Sequence, residues 1–331
     1  MLKSRLCIAF FAFAVGCAPA QKPLTDYVNP MLGTATLWDS VDLGFKPTKR
    51  TWGAEVFPGS SLPNAMVQVS PVTKFHSGAG YQYEDSVIYG FTHTNKGHWN
   101  LCHIPLLPVT GTPTPGDYCS PFSHERESAA PGYYQVFLDR YGVDAQLSST
   151  LRCAFHKYTY PAGAAASLLA DLQRSNEHVR AWDIRKEGDN VFAGWQQTGE
   201  KMYFYAVANR PVTGIEPVVE GDREVRIVRF GEGDGALELR IGFSFVSEKN
   251  ARENLEAEML GKSFAEVRSE ATATWNDLLG RIRVEGGTER EKGLFYSSLY
   301  RSFLWPALRS DVNGEFTDVD GKVINPGFRY Y

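Results

Sequence analysis

Leu237, Leu239, Ile241, Phe243 and Phe245 alternate with Glu238, Arg240, Gly242 and Ser244. A period of two predicts a strand with one buried face. Val143, Ala145 and Leu147 follow the same rule, as do Leu151, Cys153 and Phe155, and Met202 to Val207 form a denser apolar run. Gly and Asp clusters separate these runs, at 187–190, 221–222 and 231–235. Many strands divided by such turns predict an all-β sandwich from about residue 26 to 245. Long loops rich in Pro, Gly, His and Trp lie between residues 29 and 130. Loops on a rigid sheet are where binding chemistry tends to sit.

The period then changes. Ser263-Phe264-Ala265-Glu266 is a capping box, and Phe264, Val267, Ala271, Trp275, Leu278 and Ile282 follow at steps of three and four. This predicts an amphipathic helix, preceded by a shorter one at about 249–260. Thr288-Glu289-Arg290-Glu291 is a second capping box; Phe295, Leu299 and Phe303 share one face behind it, and Pro306 ends the run. The expected division is a β-sandwich over 21–247, linker helices over 248–286, and the opening of a helical domain over 287–331. That last part is too short to bury its own helix faces, so a truncated chain, poorly soluble by itself, is expected.

The first twenty residues read as an export signal. Lys3 and Arg5 precede the apolar stretch 8–16, and Ala18-Pro19-Ala20 is an A-x-A type cleavage site before Gln21. Ala14-Val15-Gly16-Cys17 also approximates a lipobox, which would make Cys17 a lipid anchor. Both readings send the chain out of the cytoplasm, to the periplasm, the outer membrane as a lipoprotein, or the medium. No later segment is apolar enough to span a membrane. Three cysteines remain in the mature chain, Cys102, Cys119 and Cys153, which allow one disulfide with a spare thiol or three free thiols.

Composition narrows the partners. Acidic and basic residues are mixed, with a net charge of -4, so no basic patch invites nucleic acid or an anionic membrane. Aromatic residues make up 13% of the chain, and their flat faces suit sugar rings as well as cores.

One stretch concentrates chemistry: His93, Asn95, Lys96, His98, Trp99, Asn100, Cys102 and His103. Metal binding by its histidines is disfavoured, because a spacing of five puts them on different faces of a helix or strand. Cys102 lies ahead of Ile104-Pro105-Leu106-Leu107, expected to be a buried strand, and a buried thiol is usually inert. A loop with one stacking aromatic fits a sugar site: Trp99 offers a face, and His98 and Asn100 offer directional hydrogen bonds. A plainer loop, whose His and Asn serve the local backbone, fits equally. Trp52 and Glu55, near Gly53 and Gly59, form a second candidate; the alternative there is a packed Trp and a solvated Glu. No catalytic carboxylate pair is marked by its context among Glu84, Asp85, Asp171, Glu177 and Asp183.

Several motifs together resemble glycoside hydrolase family 92. Tyr27-Val28-Asn29-Pro30-Met31-Leu32-Gly33-Thr34 resembles its opening "VNPFIGT". Phe57-Pro58-Gly59 with Met66 to Pro71, Gly80-Tyr81-Gln82-Tyr83, and Ile88 to Thr94 are similar to further family segments. Ile241 to Leu255 resembles the "ISFVS--NA--NL" hinge into the helices, and Phe295 to Tyr300 its "FYTALYH" helix. The resemblance implies a mainly β N-terminal part, a mutarotase-like β-sandwich, followed by linker helices and the start of an (α/α)6 barrel. It implies a calcium-dependent exo-α-mannosidase acting with inversion on α-mannose-containing glycans, which needs an acid and a base about 6.5–9.5 Å apart. In the family these carboxylates and the calcium ligands lie in the helical domain beyond residue 331, so no catalytic or metal residue is assigned here and the chain alone is expected to be inactive. The sandwich is expected to form one wall of the pocket. Gly97-His98-Trp99-Asn100 stands where many members carry a Ser/Gly-rich stretch, which makes Trp99 and His98 candidate contacts for the leaving group. Asn100, Trp52, Glu55 and His93 complete the candidate substrate-binding set. The competing class is a secreted carbohydrate-binding sandwich without catalysis, for which the helices after Glu248 have no use.

Overall fold

The computed structural model describes residues 22–37, 44–46, 55–96 and 99–331. Two antiparallel sheets face each other. The seven-stranded sheet runs, in spatial order, Ser60–Ser61, Gln68–Val72, Gly90–Thr92, Leu106–Val109, Ser167–Ala170, Arg223–Phe230 and Val212–Glu220. The eight-stranded sheet runs Ala181–Gly188, Val191–Gln197, Lys201–Ala208, Leu237–Ser244, Cys153–Thr159, Val143–Ser149, Tyr133–Leu138 and Glu127–Ala130. The mainly β sandwich is thus observed, and the alternation places its core. Met202, Phe204, Ala206 and Ala208 point inward while Lys201, Tyr203, Tyr205 and Val207 stay partly exposed. Phe91, Tyr134, Tyr158, Phe192 and Phe243 fill the space between the sheets. Fully burying each such ring contributes about 2–3 kcal/mol.

Three helices follow: α1 (Glu248–Glu258), α2 (Phe264–Leu279) and α3 (Glu289–Ser302). Both capping boxes form, Ser263 with Glu266 and Thr288 with Glu291, each satisfying two orphan backbone N–H groups. Helix α1 lies on the outer face of the eight-stranded sheet. Its approach is so close that a Cβ at Gly242 would sit 2.1 Å from the Ala251 carbonyl oxygen, so only glycine fits there.

Helix α2 stops at Leu279, and Gly280 caps it, so Ile282 lies beyond the helix and Leu279 takes the buried place. The stripes of α2 and α3 find more cover than their length suggested. Trp275, Tyr296 and Tyr300 pack with Leu24, Val28 and Phe57 from the start of the chain. Trp275 Nε1 donates to the Ser61 carbonyl at 2.7 Å, which ties α2 to the sandwich. Ile282 (49%) and Leu294 (44%) remain exposed.

The expected strand at Ile104 begins later, at Leu106, because Cys102 and Ile104 are left-handed (φ 55° and 53°) and break the extended chain. Cys102 and Cys153 are buried, and Cys102, Cys119 and Cys153 are free. Burial pushes the Cys102 thiol far up, as an inert thiol requires.

Candidate functional site

A cavity of about 260 Å³ opens where the sandwich meets the segment after α3. One wall is a short hairpin in which Asn95 pairs with Asn100 and Lys96 with Trp99. Gln68 pins this hairpin: its Oε1 accepts from Asn95 N at 2.7 Å while its Nε2 donates to the Ala65 carbonyl at 2.6 Å. Across the cavity lie Trp305 to Arg309, Thr317 to Val319, Tyr330 and Tyr331. Arg309 stacks on Phe245 at 3.8 Å and donates to Glu200 at 2.8 Å, which fixes a cation and a carboxylate on the rim. Asn95 also lines the cavity; its Nδ2 is buried with no hydrogen-bond partner among the described residues. A buried donor left open in a cavity wall is matched by a ligand oxygen or by water. Stacking faces, a guanidinium, an ammonium and an open amide suit a small polyhydroxyl ligand.

Beneath the hairpin a chain of hydrogen bonds stiffens the floor. Thr198 Oγ1 donates to Glu177 at 2.6 Å and lies 2.9 Å from His103 Nε2. His103 Nδ1 lies 2.9 Å from Thr94 Oγ1, and Thr94 lines the cavity. Burial lowers His103 to about 4, so the ring is neutral near pH 7. The chain therefore orients as Nε2–H donating to Thr198 and Thr94 donating to Nδ1.

The candidate residues separate in space. Trp99 is half-buried, on the hairpin beside the cavity. His98 and Trp52 lie outside the described residues. Asn100 is buried and serves the backbone: its Oδ1 accepts from Cys102 N at 2.9 Å, and its carbonyl accepts from Asn176 at 2.5 Å. His93 must be corrected from ligand contact to core residue. It has no exposed surface, packs on Phe243 at 4.5 Å, and faces His156 at 3.0 Å. It follows directly on the strand Gly90–Thr92, its backbone is held by the His103 carbonyl and the Gln68 N–H, and burial lowers it to about 3. Glu55 is left-handed (φ 49°) and lines a separate small recess with Thr34, Ser77 and Gln82.

None of the five carboxylates raised from sequence lines the cavity. Asp171 is buried against Tyr118 and Arg223, Glu84 holds Thr36, Asp85 holds Thr73, Glu177 holds Thr198, and Asp183 pairs with Arg185 at the surface. Among the described residues no group of three or more His, Cys, Asp or Glu is gathered for a metal. Sequence reasoning missed Thr94, Glu200, Arg309 and Tyr330 as cavity walls. Thr94 lies within the stretch singled out, but the others join it only through the fold.

Comparison with known proteins agrees with this architecture. The model for the glycosyl hydrolase family 92 N-terminal domain matches residues 27–254, and that for the family 92 catalytic domain matches 250–331. A family 92 α-mannosidase from Bacteroides thetaiotaomicron superposes with a TM-score of 0.83 at 26% identity, over 94% of this chain and 45% of its own. A family 92 inverting mannosidase from the same species gives 0.74 at 25% identity, over 91% and 41%. An uncharacterized secreted glycosidase of Arthroderma benhamiae is 24% identical over 87% of this chain and 42% of its own length. The chain spans under half the length of each of these relatives. The cavity lies where the two matched regions meet in space, and with nearly the whole described chain covered by those two models, this chain belongs to glycoside hydrolase family 92.

Proposed function

We propose that this chain forms the sandwich wall and the first helices of an exported exo-α-mannosidase that hydrolyses α-mannosidic bonds of glycans with inversion and needs calcium. The observation that carries the reading is the cavity itself, with Asn95 and Lys96 on the sandwich side, Trp99 paired with Lys96 beside it, and Trp305 to Arg309 on the side matched by the catalytic-domain model. Two of the structural relatives support the chemistry: an α-mannosidase in complex with mannoimidazole, and an inverting mannosidase. In this proposal the acid, the base and the calcium ligands belong to the part of the relatives' length that this chain does not span. Calcium would supply charge stabilisation there. The residues here bind and orient sugar, through stacking on Trp99 and hydrogen bonds from Asn95 and the Arg309–Glu200 pair, and exclude water from the pocket.

Residues 1–20 are proposed as a cleaved signal peptide, with lipidation of Cys17 as the other route of export. The secreted relative favours export, and no helix among the described residues is long and apolar enough to cross a membrane. The boundaries 21–247, 248–286 and 287–331 are proposed for sandwich, linker and helical domain, and α1 beginning at Glu248 fits the first of them.

The test is mannose release from α-linked mannobioses by this 331-residue chain and by a longer protein that spans the full family length, each with calcium and with chelator. Calcium-dependent release by the longer protein alone is expected. Release by the short chain would overturn the placement of the acid and base. Binding of mannosides by both with release by neither would favour a carbohydrate-binding protein without catalysis.

A further inference from the structure

The hinge motif singled out in the sequence carries two asparagines, Asn250 and Asn254, one helical turn apart on α1 and both buried. Both amides reach one carboxylate. Asn250 Nδ2 donates to Asp311 Oδ2 at 2.9 Å, and Asn254 Nδ2 donates to Asp311 Oδ1 at 2.7 Å. Ser244, at the end of the central strand of the eight-stranded sheet, donates its hydroxyl to Oδ2 at 2.6 Å. The same groups grip the neighbouring backbone. Asn254 Oδ1 accepts from Val312 N at 2.9 Å, and Arg152 Nε donates to the Ser310 carbonyl at 2.8 Å. Arg152 is held in turn by Glu258 at 2.6 Å. Sandwich, hinge helix and the segment after α3 therefore meet at one buried carboxylate.

An ionised carboxylate accepts only, and three donors converge on it, so the match is specific to Asp. An amide at 311 would turn its own N–H groups toward one of those donors. The segment so fixed is the far wall of the cavity. Arg309, two residues earlier, donates its backbone N–H to the Tyr330 carbonyl at 2.7 Å, and Thr317 donates its hydroxyl to the Phe245 carbonyl at 3.0 Å.

We propose that Asp311 is the positioning residue of the cavity, seated in an Asn250–Asn254–Ser244 receptor that sets the distance between the wall at 305–319 and the Trp99 hairpin. The description of this wall as part of a glycan pocket rests on the function proposed above; the positioning itself does not.

The experiment is hydrogen exchange of the 331-residue chain, read peptide by peptide, for wild type, D311N, N254D and the double variant D311N/N254D, together with titration by methyl α-mannoside. Asn254 Nδ2 also donates to the Phe243 carbonyl at 2.7 Å, so a carboxylate at 254 loses that bond in both N254D and the double variant. N254D further sets two carboxylates face to face, and the double variant relieves that one contact, because the amide at 311 can donate to the carboxylate at 254. Exchange in D311N is expected to rise about tenfold over 304–319, the factor for loss of about one buried hydrogen bond. The strands 201–208 and 237–244 are expected to stay unchanged in D311N, and the double variant to exchange more slowly over 304–319 than N254D alone. Uniformly faster exchange in D311N would overturn the proposal, since Asp311 would then serve the stability of the whole fold. Unchanged exchange at 304–319 in D311N, or a double variant no slower than N254D, would overturn it too. The titration separates the two claims. If neither this chain nor the longer protein binds mannoside while D311N still loosens 304–319, the glycan reading fails and the positioning stands.

Discussion

His93 and His156 meet inside the sandwich with their Nε2 atoms 3.0 Å apart, and His156 Nδ1 lies 2.6 Å from the Tyr158 hydroxyl. Two cations cannot share that space, and neither ring touches water. Burial lowers His93 to about 3 and His156 well below its ordinary 6.5, while His103 falls to about 4. The unfolded chain protonates these rings first. Their contribution is therefore complete above pH 6.5 and is lost as the pH falls from 6.5 toward 4. Each neutral histidine gives a slope of about 1.4 kcal/mol per pH unit there, so the three together give about 4. Urea midpoints measured at about pH 7, 6 and 5 should fall accordingly. A pH-independent midpoint would contradict the buried, neutral assignment.

Trp275 is fully buried and spends its one donor on Ser61. Trp275→Phe leaves that carbonyl unpaired and a gap beside Tyr300, whose ring centroid lies 4.4 Å away. A loss of about 2–4 kcal/mol is expected, measured by equilibrium denaturation. A loss below about 0.5 kcal/mol would mean that α2 is not anchored through this residue.

Ser263→Ala removes a hydroxyl that accepts from Glu266 N at 3.3 Å, and so breaks the capping box of α2. The expected cost is about 1 kcal/mol. Thermal unfolding of the variant should show a small, salt-insensitive drop in midpoint; no drop would place the start of α2 elsewhere.

Trp99 pairs only with Lys96 in the hairpin ladder and is half-exposed, so little of the fold depends on it. Trp99→Ala is expected to change stability by less than about 0.5 kcal/mol. If its face stacks on sugar, mannoside affinity should fall about tenfold, a loss of roughly 1.4 kcal/mol. Titration calorimetry on the protein that binds wild-type ligand reads this directly. An unchanged affinity would remove Trp99 from the site.

How much of this is legible in the sequence depends on the range of the interactions. The central strand and α2 can be read because alternation and the Ser263–Glu266 box are local signals. Leu237–Ser244 and Phe264–Leu279 follow from them with only the last turn of α2 misplaced. His93 misleads because a histidine among Asn, Lys and Trp looks like loop chemistry. Its place in the core is set by backbone bonds to Gln68 and His103, and its side-chain partner stands 63 residues away. Asp311 carries no mark at all, since its partners lie 57 to 67 residues upstream and only the fold gathers them. The cavity is hidden for the same reason: the hairpin at 95–100 and the wall at 305–309 share no sequence pattern.

The strand Leu237–Ser244 sits between Lys201–Ala208 on one side and Cys153–Thr159 on the other, yet it is the last of the eight strands to be synthesised. Until residue 244 is available, the sheet exists as two halves, 127–159 and 181–208, with no ladder between them. Their inner edges then offer unpaired backbone groups to any other strand. Insertion of this strand closes both ladders at once and brings Gly242 under α1. The step joins residues roughly eighty positions apart, so folding should be slow relative to helical proteins of this size and should depend on that single event. A cell making this chain must keep two open sheet edges apart for as long as it takes to deliver the strand that seals them.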